Sequence, residues 1–93
     1  MFKTNEYFEG NVKSIAFETD KGTASIGAMH KGEYEFSTTT VEHMTVTSGE
    51  MLVKFANSEE WFIYKPFETF IVDKDSKFKV KTSCDTTYRC IYK

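Results

Sequence analysis

From residue 12 to residue 92 apolar and polar side chains alternate with a period of two, and turn residues interrupt the alternation about every eight to ten positions. Successive side chains of a strand point to opposite faces, so this rhythm predicts about nine short, half-buried strands in a sandwich or barrel. No stretch carries a convincing helical period. Ile15 and Phe17 share a face of a first strand and Ala24, Ile26 and Ala28 share a face of a second, with Asp20-Lys21-Gly22 turning between them. After Lys31-Gly32, Tyr34 and Phe36 oppose Glu33 and Glu35. Met44 and Val46 alternate with His43, Thr45 and Thr47 as far as Ser48-Gly49, and Met51, Val53 and Phe55 then resume the apolar face. A tight hairpin is expected at Ser48-Gly49. Trp61 and Ile63, then Phe70 and Val72, predict two strands on either side of Pro66, whose missing N–H suits a turn or an edge. Residues 73–76 close that pair. Phe78 and Val80 alternate with Lys77, Lys79 and Lys81, a solvated stripe that discourages edge-to-edge pairing. In the last strand Tyr88, Cys90 and Tyr92 oppose Thr87, Arg89 and Ile91. No repeat, low-complexity stretch or linker offers a boundary, so residues 1–93 are expected to form one domain.

Composition narrows the function classes. A chain of 93 residues buries only roughly 60–65% of its unfolded surface, which allows one core. Nine Phe, five Tyr and one Trp are generous for that length, and rings serve equally for packing and for stacking on flat ligands. Twelve basic and fourteen acidic residues give a net charge of −2, and Arg89 is the sole arginine, so a nucleic-acid surface is not expected. No apolar run approaches the ~20 residues that span a bilayer, and MFKTNEYFEG lacks the apolar run of a secretory signal. A cytoplasmic location without membrane contact is expected. Cys84 and Cys90 are too few for a disulfide framework, so reduced thiols are expected.

The candidate chemistry starts from a spacing that resembles the two motifs of cupin barrels. Where the first motif has His-x-His, a Glu and then a Gly, this chain has Tyr34-Glu35-Phe36, Glu42 and, after six residues, Gly49. Where the second has Gly, Pro-x-Gly and His, it has Phe67, Asp73, Asp75 and Phe78. Three of the four metal-ligand positions are therefore aromatic. Iron, manganese or zinc needs imidazole, thiolate or carboxylate donors, so no metal is expected. A ring-lined cavity with one carboxylate suits a flat or sugar-bearing ligand instead.

A closer resemblance covers nearly the whole chain. The segments NEYFEGNVKSIAF, ASIGAM, GEYEFST, EHMTVTSGEMLV, W-x-x-Y, SKFKV and YRCIY follow in order the pattern of the small pyrimidine/purine nucleoside phosphorylases of bacteria, a cupin-fold family that this sequence resembles. Phe67 stands where that family usually has Gly, Asp73 where it has Pro, and His43 where a second carboxylate is common. These departures bear on loop shape and pH response. The resemblance implies an all-β fold, a single cupin-like antiparallel barrel or jelly roll. It also implies a homodimer and a broad tolerance of purines and pyrimidines. The implied reaction is attack by inorganic phosphate on a nucleoside, giving free base and pentose 1-phosphate, with phosphate as co-substrate and no other cofactor.

Such a reaction develops oxocarbenium character on the sugar and needs a cation for phosphate, an anionic group near the ribose and a grip on the base. Arg89 is the candidate phosphate clamp, because a guanidinium offers two parallel hydrogen bonds. The alternative is an exposed strand arginine paired with a carboxylate. Glu42 is the candidate group for the ribose hydroxyls, the alternative being a strand-start carboxylate facing solvent. Tyr34, Phe36 and Phe78 are candidates to sandwich the base, or are ordinary core rings. Thr38 and Thr39 are candidate donors to phosphate, or turn caps. His43 falls on the strand face opposite Glu42 and is expected at the surface, as is His30. Neither Cys84 nor Cys90 has the neighbour that would make it a nucleophile. Trp61 and Tyr64, with Phe2, Tyr7 and Phe8, are expected to cover a flank or a subunit contact. Two rival functions remain open: a metal-free cupin that binds a small sugar or nucleotide without turnover, and a structural dimer whose barrel is packed shut.

Overall fold

The computed structural model describes residues 2–93. Among them are ten strands and one 3-10 turn, with no α-helix. All strand pairs are antiparallel. The larger sheet has the order β1-β2-β3-β10-β5-β8, and the smaller has the order β4-β9-β6-β7. In the larger sheet β1 spans Lys3–Tyr7, β2 Val12–Thr19, β3 Gly22–Met29, β5 Glu42–Ser48, β8 Thr69–Val72 and β10 Thr86–Tyr92. In the smaller, β4 spans Gly32–Ser37, β6 Met51–Phe55, β7 Phe62–Tyr64 and β9 Lys77–Thr82. The 3-10 turn Phe8–Gly10 joins β1 to β2.

Beyond the β2–β3 hairpin every connection but β6–β7 carries the chain from one sheet to the other. This back-and-forth winding is that of a jelly roll. The hydrogen-bonded ladders run as two separate sheets among the described residues, so the expected barrel takes the form of two facing layers. The expected hairpin at Ser48-Gly49 is corrected in the same way. β5 and β6 do not pair; Gly49 turns the chain between sheets at a φ of 81°, where a Cβ would run into the Thr86 hydroxyl. The strands on either side of Pro66, expected as a pair closed by residues 73–76, likewise lie apart: β7 is in the smaller sheet and β8 in the larger, and residues 73–76 carry the chain from β8 to β9.

The core fills the space between the layers. Val12, Met29, Val46, Met51, Val53 and Val80 are at most 1% exposed, and Phe70, Val72 and Phe78 pack among them. Each buried apolar side chain contributes about 1.5–3 kcal/mol. Ile15 and Ile26, expected on core faces, instead point outward and pair across β2 and β3 at 46% and 53% exposure. Their strands turn Val12, Ser14, Ser25, Gly27 and Met29 inward. On the smaller sheet Lys77 is exposed as expected, while Lys81 is half-buried. Its ammonium stands 4.1 Å from the Trp61 ring centroid and 4.0 Å from a Glu33 carboxylate oxygen.

Candidate active site

Between the two layers lies a cavity of about 340 Å³. Its wall on the larger sheet is made by Ser14 of β2, Glu42 and Met44 of β5, and Tyr88 and Tyr92 of β10. Phe36 of β4 and Phe78 of β9 face them from the smaller sheet, while Tyr7, Phe8, Glu35 and Ser37 complete the lining. Strand parity explains the composition. Glu42, Met44 and Val46 alternate inward on β5, and Tyr88, Cys90 and Tyr92 do so on β10, with Glu42 paired to Tyr92 and Met44 to Cys90. The two phenyl rings Phe36 and Phe78 are stacked, 5.5 Å apart and inclined by 29°. A wider depression of about 450 Å³ lies at Glu33, Glu50, Leu52 and Lys81. It flanks the outer face of the smaller sheet and gathers none of the candidate residues.

The electrostatics of the inner cavity favour protons. Burial raises the Glu42 carboxyl above its ordinary range, opposed by the Cys90 thiol, whose Sγ stands 3.6 Å from Glu42 Oε1. Burial, reinforced by the Glu42 charge, pushes the Cys90 thiol up to about 12. The Tyr92 hydroxyl is raised to about 12, again chiefly by burial, although its 2.9 Å hydrogen bond with Ser25 Oγ works the other way. Burial lifts Tyr88 as well. Phenols and thiol therefore stay protonated near neutrality, and the wall presents hydroxyl donors beside the Glu42 carboxyl, with exposed Glu35 the second carboxyl of the lining. No lysine or arginine is in the lining. The positions where cupins carry metal ligands hold Tyr34, Phe36, Glu42 and Phe78, and among the described residues no group of three or more His, Cys, Asp or Glu converges. This donor set does not fit a divalent metal.

Of the residues singled out in the sequence, the structure brings Glu42, Phe36 and Phe78 to one cavity. Tyr34 stands behind them, 6.3 Å from Phe36 between ring centroids, and its hydroxyl is committed to the His30 carbonyl at 2.5 Å. Thr38 is 4% exposed, and its hydroxyl donates to the Asp73 carbonyl at 2.6 Å and accepts from the Ser76 N–H at 3.0 Å. It ties two loops together and does not face the cavity. Thr39 is exposed and lies outside the lining.

Arg89 is the main correction. It is exposed on the outer face of the larger sheet, in register with Ile26 and Thr45, because the alternation that puts Tyr88 and Cys90 inside puts Arg89 outside. It therefore cannot clamp phosphate in this cavity. His43 is half-buried on the same outer face. His30 is exposed and bonded through Nδ1 to Asp85 at 2.6 Å. Both cysteines are free, Cys84 exposed and Cys90 buried.

Sequence reading missed Ser14, Met44, Tyr88 and Tyr92, and it placed Tyr7 and Phe8 on a flank. For Tyr88 and Tyr92 a signal was present, since they share their strand face with Cys90 and oppose Arg89. For Ser14 there was little, because Ile15 and Phe17 looked like the inward side of that strand.

Comparison with known proteins agrees with this architecture. The family model for pyrimidine/purine nucleoside phosphorylase matches residues 2–92. A protein named pyrimidine/purine nucleoside phosphorylase from Alcanivorax borkumensis is 50% identical over 92 residues, covering 99% of this chain and 98% of its own. One of the same name from Pseudomonas aeruginosa is 50% identical over 93 residues, covering 100% of both. Among solved structures, a protein of unknown function from Vibrio parahaemolyticus superposes with a TM-score of 0.94 at 38% identity, covering 97% of this chain and 96% of that one. A cupin superfamily protein from Desulfitobacterium hafniense superposes with a TM-score of 0.73 at 15% identity, covering 95% of this chain and 82% of that one, which supports the cupin fold alone. With a family match along all but its terminal residues, two relatives at half identity and a cupin architecture around the cavity, this chain belongs to the pyrimidine/purine nucleoside phosphorylase family.

Proposed function

We propose that the protein is a pentosyltransferase that uses inorganic phosphate to cleave the N-glycosidic bond of purine and pyrimidine nucleosides, and that the inner cavity is where it does so. A phosphate oxygen forms the new bond to C1′, the C1′–N bond breaks with its electron pair leaving on the base, and free base and pentose 1-phosphate result. The observation that carries this reading is the conjunction of the half-buried Glu42 carboxyl with the stacked Phe36–Phe78 rings in a cavity of about 340 Å³. That volume lies near the lower end of small-molecule sites, which suits a nucleoside-sized ligand. Rings stack on any base, which accounts for broad base tolerance. Glu42 accepts hydrogen bonds from ribose hydroxyls and, when ionised, stabilises positive charge at C1′.

Phosphate in this reading is met by the hydroxyls of Ser14, Ser37, Tyr88 and Tyr92, since the lining has no basic side chain. Inorganic phosphate is the only co-substrate, and the working form is a homodimer, which sedimentation equilibrium checks. The lack of a basic side chain also favours a second reading, a module that binds a sugar-bearing ligand without turnover. Release of uracil from uridine and adenine from adenosine separates the two. Strict dependence on added phosphate, with kcat/KM reduced about 100-fold or more in Glu42→Gln, supports the enzyme. Bound nucleoside without release at any phosphate concentration refutes it.

A further inference from the structure

The N-terminal turn does something that the packing of the core does not require. Tyr7 ends β1 and points inward opposite Val12. Continued as a strand, the chain would send the next side chain outward. It leaves the extended conformation instead: Phe8, Glu9 and Gly10 have φ of 53°, 59° and 87°, and two of these three left-handed residues carry side chains. Asn11 holds the turn, its N–H donating to the Phe8 carbonyl at 3.1 Å and its side-chain amide donating to the same oxygen at 3.0 Å. Consecutive residues Tyr7 and Phe8 thereby line the same cavity.

Burial does not explain this arrangement. The Phe8 residue is 42% exposed, and every residue of β1 is exposed or only half-buried. The ring sits 5.0 Å from Tyr34 and 5.5 Å from Phe36, edge-on to the latter at 88°. A chain of rings therefore runs from exposed Phe8 through half-buried Phe36 to Phe78, which is 2% exposed. The left-handed residues reverse the chain between antiparallel β1 and β2. What the reversal does not explain is that it leaves a large, exposed apolar ring at the edge of the cavity, against Tyr34 and Phe36.

We propose that Phe8 is a specificity-determining residue, the outer jaw that grips the base of a nucleoside against Phe36. This rests on the reading that a nucleoside occupies the inner cavity. A flat heteroaromatic base fits the role because it presents a π-face to each ring whatever its substituents. The larger purine ring system gains more from the contact than a pyrimidine does.

Calorimetric titration of the full chain with adenosine and with uridine, in phosphate-free buffer so that nothing turns over, tests the proposal. The variants are Phe8→Ala and Phe8→Trp, with thermal unfolding run alongside to show that both stay folded. The proposal predicts that Phe8→Ala weakens adenosine binding about tenfold and uridine binding by a smaller factor. Phe8→Trp should stay within about threefold of the parent for both. In steady state the KM for nucleoside should rise in Phe8→Ala while the KM for phosphate holds. Parent-like affinity of Phe8→Ala for both nucleosides overturns the role of Phe8 alone. Failure of the parent protein to bind either nucleoside overturns both this role and the reading on which it rests.

Discussion

Both faces of the six-stranded sheet carry apolar residues, and they do different things with them. Inward, Val12, Met29, Val46 and Cys90 are at most 1% exposed; of the polar residues among them, Ser14 and Glu42 line the cavity and Ser25 bonds the Tyr92 hydroxyl. Outward, Ile15, Ile26 and Ile71 are 46%, 53% and 56% exposed, and Arg89 and Thr47 stand among them in solvent. Hydrophobicity alone does not orient such a sheet. What orients it is the facing layer, which only the inward parity can meet, so a one-residue change of parity moves a side chain from the cavity to the surface.

The sharpest way to break this comparison is within one strand. On β3, Met29→Ala removes a side chain that is 1% exposed and is expected to cost about 2–5 kcal/mol. Three residues earlier, Ile26→Ala removes one that is 53% exposed and should cost no more than about 1 kcal/mol. Urea unfolding checks both, and equal costs would mean that the assigned register is wrong. Gly27 gives a subtler probe, because a Cβ there would lie 2.5 Å from the Tyr88 ring, which is itself 6% exposed. Gly27→Ala is expected to push that ring into the cavity, lowering stability by about 1–3 kcal/mol and weakening ligand binding. Ala28→Ser, on the outer face, should stay within about 0.5 kcal/mol.

The smallest effect is a pH dependence. Burial raises the Glu42 carboxyl above its unfolded value, so the folded protein holds that proton more tightly. The associated stability is full below the ordinary carboxylate range and is lost as pH rises through the raised value. Glu42→Gln removes the dependence. Its stability relative to the parent should therefore climb as pH goes from the carboxylate range to neutrality, as thermal unfolding across that range would show. A difference that does not change with pH would place Glu42 in solvent.

Much of this was legible from period and turn chemistry. The strands from β2 onward, the β2–β3 hairpin, and the inward positions of Phe36, Glu42, Phe78 and Val80 follow from alternation. Other features depended on information that alternation does not carry. It tells which residues share a face but not which face meets the other sheet, and Ile15, Phe17 and Ile26 were as hydrophobic as core residues. Sheet membership was hidden too: Ser48-Gly49 has hairpin chemistry, yet the chain changes layers there. Arg89 stands out in the sequence as the one arginine, although the parity that places His43 away from Glu42 places Arg89 away from Tyr88 and Tyr92. The inward turn of Phe8 depends on left-handed backbone at two non-glycine residues, which no residue type announces.

The most direct measurement of where the chemistry sits is face-resolved. With the methionine and isoleucine methyl groups carbon-13 labelled, adenosine is titrated into the protein and methyl shifts and contacts with the base protons are recorded. Ligand between the layers should shift the Met44 methyl and give it contacts to the base, while the outward methyls of Ile26 and Ile71 stay unmoved. Shifts confined to Ile26 and Ile71, with Met44 silent, would put the ligand on the outer face beside Arg89 and contradict the assignment.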